Sequence, residues 1–210
     1  ISPSTVIMVQ ETYLLFKKFF NNISSFLDLN DFNDSVIGEF NTFCMNSLNE
    51  IPYHSHKSLK CSYPDLTHFR SYPRSFIVYK DNTVTTHSLS IPVFYCENCN
   101  HYHALLPAPF LIPHEQASIG FILCVLFDRF FNKMKVAEIL EKYNLPQTTY
   151  YRWVNRYKMY YRIFITLFNG KSFSFFTMAE LHFTEMSQSF FYATGSSLFE
   201  KSFKLFSNTG

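Results

Sequence analysis

This sequence is poor in charge and in glycine. Asp, Glu, Lys and Arg make up 16% of its 210 residues, and there are only 5 glycines. With 47% apolar residues, such low charge excludes wholesale disorder. No glycine-rich phosphate loop and no Gly-x-Ser-x-Gly elbow occurs. Long apolar runs are also missing. The longest, Phe121 to Phe127, ends at Asp128-Arg129 and is far short of the roughly 20 residues a spanning helix needs. The opening residues show no basic leader followed by an apolar stretch and a cleavage site, so no export signal is expected. A start at Ile1 suits a fragment or an unusual start. The formal net charge of +2 is too small to imply a polyanion by itself.

What is present is enough for a core without disulfide staples, in one or two domains. Phe (26) and Tyr (14) are abundant. Together with many Asn and Lys they fit an AT-rich coding sequence, so they are not in themselves evidence of aromatic chemistry. The five cysteines are Cys44, Cys61, Cys96, Cys99 and Cys124. An odd set with one CxxC pair suits a reducing compartment better than a disulfide framework. Cys44 and Cys124 read as small core side chains.

The near-neutral total hides an asymmetry. Residues 1–50 carry a net −4, whereas residues 133–162 carry +5. A basic module behind an acidic leader hints at a polyanionic partner. The leader reads as short helices with Asn/Asp-rich breaks. Residues 51–72, rich in His, Ser, Pro and Tyr, read as loop. Phe76–Tyr79 and Val84–Val93 read as strands about an Asp81-Asn82 turn. Pro107, Pro109 and Pro113 punctuate a linker.

Helical periodicity is clearest after that linker. Ile119, Ile122, Leu123, Leu126 and Phe130 share one helix face. A second helix is expected from about Lys133 to Tyr143, with Val136, Ile139, Leu140 and Tyr143 inward. Asn144-Leu145-Pro146 breaks it, and Pro also suits the start of the next helix. That helix runs from Gln147 to about Phe168, with Tyr150, Trp153, Val154 and Tyr157 inward. Gln147, Thr148, Tyr151, Arg152, Asn155 and Arg156 are then left facing outward, as side chains able to read base edges or hold phosphates. Lys133, Lys135 and Lys158 are expected on phosphates. The string Val136 to Trp153 resembles the helix-turn-helix of insertion-sequence transposases and resolvases. That resemblance makes Ala137 the small residue where two helices cross, Leu145 the plug of the turn and Trp153 the anchor.

Cys96 and Cys99 follow a strand-like segment, and a CxxC turn lets two thiolates meet one Zn²⁺. Cys61 is the natural third ligand. The fourth is open among His56, His54, His101 and His103. The competing readings are a degenerate ribbon held by packing and, more remotely, a redox pair. The run from Cys61 to Arg74, and that from His103 to Pro113, resemble an uncharacterised bacterial family of unknown function. There a cysteine pair precedes a DL…H…Y…R stretch, and a second CxxC is followed by HALLP. The resemblance implies the zinc-ribbon and DNA-binding front end of a transposase. Ser58 stands where that family has the partner of Cys61, so His56 would have to substitute.

Only Glu180, Glu185 and Glu200 follow the basic region, too close together for a three-carboxylate two-metal centre. No catalytic residue is expected, and the chain reads as a non-enzyme. The Phe/Ser-rich tail has one candidate helix, Met178–Phe183, and otherwise a packing or dimerising role. The expected fold is α+β: a small β-hairpin zinc-ribbon-like module plus a trihelical helix-turn-helix domain with flanking helices. The expected segments are a leader (1–50), a ribbon-like domain (51–110), a helix-turn-helix domain (114–168) and a tail (171–210). The expected function is a cytoplasmic, mobile-element type of DNA-binding protein. Its expected partners are double-stranded DNA and, beyond that, a second copy or a transposase, with no membrane. Its expected metal set is Cys61, Cys96, Cys99 and His56 on Zn²⁺, if the site is not degenerate. The alternatives are a non-catalytic protein-interaction module and an inactive truncated transposase.

Overall fold

The computed structural model describes residues 30, 34–46, 67–98, 100–104, 106, 110–112, 114–167, 174–194 and 198–199. Helix and sheet are mixed. Helix α1 (Asp34–Asn46) precedes a three-stranded antiparallel sheet of β1 (Thr67–Lys80), β2 (Thr83–Cys96) and β3 (His101–Ala104), in the order β1-β2-β3. Among the described residues five helices follow: α2 (Ile119–Phe130), α3 (Val136–Lys142), α4 (Gln147–Leu167), α5 (Phe175–Leu181) and α6 (Phe183–Thr194).

The hairpin forms where its turn chemistry dictates. Asp81 and Asn82 both take positive φ, at 50° and 61°, which is the two-residue turn that matches strand twist. The strands are much longer than their alternation suggests. Residues 67–72, expected as loop, are the first half of β1. Pro73 obscured this. Pro73 lies in β1, an outer strand of the sheet, where a missing N–H is tolerated. Pro92 lies in the central strand, where it faces Ser71 of β1. The outer side of β1 is itself covered at Ile77, which bonds the backbone of Gln116 and Ser118.

Ser118 then caps α2, its Oγ accepting from the Phe121 N–H at 3.0 Å. Ile119, Phe121, Ile122, Leu123, Val125 and Leu126 are all buried. This helix is apolar nearly all round because the sheet and the later helices enclose it. The tail joins the same core. Tyr157 meets Phe130, Phe175 and Phe176 at ring distances of 4.7–5.3 Å, and Tyr160 meets Phe190 and Phe199. The expected single tail helix is thus two helices, separated at His182, with Phe175, Phe176, Met178, Phe183, Met186 and Phe190 inward. Among the described residues, no helix is long and apolar enough to cross a membrane.

Candidate nucleic-acid interface

The link between α3 and α4 is tight for a specific backbone reason. Asn144 adopts φ 45°, and the Leu145 N–H reaches back to the Leu140 carbonyl at 2.9 Å while Asn144 N–H reaches Glu141. This pair of bonds is the left-handed helix stop for which Gly or Asn is chosen. Pro146 then supplies the carbonyl that accepts from Thr149 and Tyr150 as α4 begins.

Helix α4 divides by face as its sequence period requires. Tyr150, Trp153, Val154, Tyr157, Tyr160, Ile163 and Phe164 are buried. Trp153 meets Phe121 edge-on at 5.7 Å. Its indole N–H has no hydrogen-bond partner among the described residues. Burial, then the neighbouring Tyr161, pushes the Tyr157 hydroxyl up to about 12, so it stays neutral. Gln147, Thr148, Tyr151, Arg152 and Asn155 are exposed. With Met159, and with Arg156 at its border, they share one open face of α4.

The two arginines of this face are not equivalent. Glu115, 9% exposed, gives one carboxylate oxygen to Arg152 and the other to Arg156, each at 3.0 Å. The Arg152 side chain remains 48% exposed, with donors left for a ligand. Arg156 does not face outward as its helix position suggests. Its side chain is 15% exposed and also donates to the Phe199 carbonyl at 3.1 Å. A long side chain on the border of a helix face goes to the nearest buried acid. Arg74 of β1 grips the same loop through the carbonyls of Ile112 and Glu115. One loop therefore connects the sheet to the exposed face of α4.

Of the expected phosphate contacts, Lys133, Lys135 and Lys158 are exposed. Lys133 donates to the Phe130 carbonyl at 2.6 Å, and Lys135 lies 4.0 Å from Glu138. Ala137 is exposed, so it does not sit at a helix crossing. Ile139, fully buried two residues on, fills the interior instead.

Behind the turn lies a polar brace that the spacing did not reveal. Asp128, 5% exposed, accepts from Asn132 (2.7 Å), Lys142 (2.7 Å) and Tyr143 (2.8 Å). Burial raises its pKa, but the three hydrogen bonds outweigh burial and hold the carboxyl below its ordinary value. Burial works against the Lys142 charge, and Asp128 reverses that, leaving the ammonium above its ordinary value. Lys142 also lies 5.4 Å and 5.1 Å from the Tyr79 and Tyr143 ring centres. These groups line a recess of about 430 Å³ with Asn30 and Cys124. Burial pushes the Cys124 thiol up to about 12, which makes it a poor nucleophile.

Of the expected metal ligands, Cys61, Cys99 and His56 lie outside the described residues. Cys96 is fully buried at the end of β2, and its carbonyl accepts from the N–H of Asn100, which has φ 55°. Among the described residues, no group of three or more His, Cys, Asp or Glu is arranged to hold a metal ion. No family model, no curated protein and no solved structure matches this chain.

Proposed function

We propose that this chain binds double-stranded DNA, with α3 and α4 acting as a helix-turn-helix and α4 as the recognition helix. The observation that carries the reading is the division of α4. Trp153 and its tyrosine neighbours anchor one face, while Gln147, Thr148, Tyr151, Arg152 and Asn155 share the open one. Gln147, Thr148 and Tyr151 belong to the first turns, the part of a recognition helix that reaches base edges. Arg152 suits guanine and Gln147 adenine. Lys133, Lys135 and Lys158 suit phosphates, while Arg156 contributes by holding the helix to Glu115. A zinc ribbon on Cys61, Cys96, Cys99 and His56, intact or degenerate, would flank this unit. In this reading the chain is a mobile-element type of DNA-binding protein without catalysis of its own.

The test is a salt titration of binding to random and selected duplexes. Affinity should fall steeply with salt. Arg152→Ala should cost about 1–3 kcal/mol on a selected site and relax base choice at one position. Affinity that is absent at low salt, or indifferent to salt, overturns the reading. Zinc content per chain tests the ribbon separately.

One observation favours the alternative, a protein-interaction module. The open face contains Tyr151 (46% exposed) and Met159 (38% exposed), side chains suited to a protein partner. Under that alternative, Tyr151→Ala and Met159→Ala weaken partner binding while Arg152→Ala leaves duplex affinity unchanged.

A further inference from the structure

At the end of the sheet opposite the Asp81–Asn82 turn, rings from three strands meet. Tyr102 of β3 lies 4.8 Å from Phe69 of β1 and 5.1 Å from Tyr95 of β2, centre to centre. Phe69 is 53% exposed and Tyr102 is 58% exposed. Their contact makes a continuous aromatic surface, unlike a scattered exposed apolar residue. Phe69 reaches it through a bulge. The register steps from His68↔Phe94 to Arg70↔Val93, leaving Phe69 without a cross-strand partner. Such an extra residue re-aims its side chain. Tyr95 is held by its hydroxyl, which donates to Asn100 at 2.6 Å. The Arg70 guanidinium stands 5.6 Å from the Phe69 ring centre.

We infer that this platform binds an unpaired nucleic-acid strand, with bases stacking on Phe69 and Tyr102 and Arg70 meeting the adjacent phosphate. Every base offers a flat face to an exposed ring, and a neighbouring cation adds attraction for the backbone. The rings are tilted to each other by 52° and 44°, so they do not cover one another's faces. A second copy of the chain is the less fitting occupant, because a two-fold contact over these rings brings Arg70 close to its own equivalent. Glu97, exposed on the turn after β2, limits the net positive charge at this end. The strand is therefore held more by stacking than by charge. The inference goes beyond the duplex reading and uses none of the α4 residues.

The experiment measures fluorescence anisotropy of the full chain with a labelled oligothymidylate and, separately, with a duplex. Phe69→Ala and Tyr102→Ala should each weaken oligothymidylate binding about 5- to 100-fold. Tyr102→Phe should retain it, and all three should leave duplex binding unchanged. The salt slope for the single strand should be shallow, about −0.7 for one phosphate contact. Circular dichroism checks that the variants stay folded. An oligothymidylate that does not bind, or variants that bind like the parent, overturns the inference. A concentration-dependent dimer abolished by Tyr102→Ala also overturns it, in favour of a second copy. Single-strand binding that persists where duplex binding is absent supports the platform and removes the α4 reading alone.

Discussion

Asp128 and Glu115 are both nearly closed to solvent, and both are held by basic side chains. The difference lies in where the partners come from. Those of Asp128 are 4, 14 and 15 residues away, all in α2, α3 and the turns beside them. Those of Glu115 are 37 and 41 residues away on α4, and Arg74 grips the same loop from the sheet. Asp128 therefore braces the α2–α3 unit from inside. Glu115 ties α4 to the loop that the sheet grips and draws one arginine, and part of a second, away from the open face. The same chemistry holds the fold together in one region and sets the charge of a surface in the other.

The comparison is broken most directly at Asp128. Asp128→Ala leaves the buried Tyr143 hydroxyl without its acceptor, while the partly exposed Lys142 keeps water, and the expected loss is about 3 kcal/mol in urea unfolding. A Lys142→Met change on that background should cost little more, because the pair's coupling is already lost. A milder probe is pH. The folded pKa of Asp128 is depressed, so its contribution is present above the unfolded value of about 3.9 and is lost as pH falls through the folded value. Lys142 is raised, so its contribution is present below about 10.4 and is lost as pH rises through its folded value. Asp128→Asn should flatten the acid limb of stability against pH while leaving the alkaline fall of other groups.

Glu115→Gln sharpens the contrast. The expected loss of stability is smaller, about 2 kcal/mol, because Arg152 is half exposed and keeps its water. The larger effect is expected on binding. With Arg152 and Arg156 released, duplex affinity at low salt should rise and its salt slope should steepen by about one unit. If slope and affinity stay as in the parent protein, Glu115 is a brace like Asp128 and the contrast fails. The smallest effect is local. Asn82→Val puts a branched side chain at φ 61° in the hairpin turn, at an expected cost of about 1 kcal/mol in thermal unfolding.

Legibility in the sequence followed the distance over which each feature is specified. The inward faces of α2, α3 and α4 were readable because helical period and burial coincide at Ile122, Ile139, Tyr150 and Trp153. The Asp81-Asn82 turn was readable because few residue pairs accept two positive φ values. The first half of β1 was not readable. Its residues Thr67 to Ser71 are all exposed, so no alternation marks them, and Pro73 argues against a strand until its outer-strand position is known. Asp128 read only as the end of an apolar run, since nothing local signals that a Lys and a Tyr one helix later turn back onto it. On α4, the position of Arg152 was right, whereas Arg156 was drawn inward by an acid from a distant loop. Of the expected metal set, only Cys96 lies among the described residues.

By itself the sequence determined the helix faces, the tight stop at Asn144 and the hairpin turn. Each follows from side-chain period or backbone φ within a few residues. Only the tertiary structure decided which charges stay available. An arginine beside a buried carboxylate and an arginine facing solvent look identical in one dimension. Which of them a ligand can use depends on what folding brings within 3 Å.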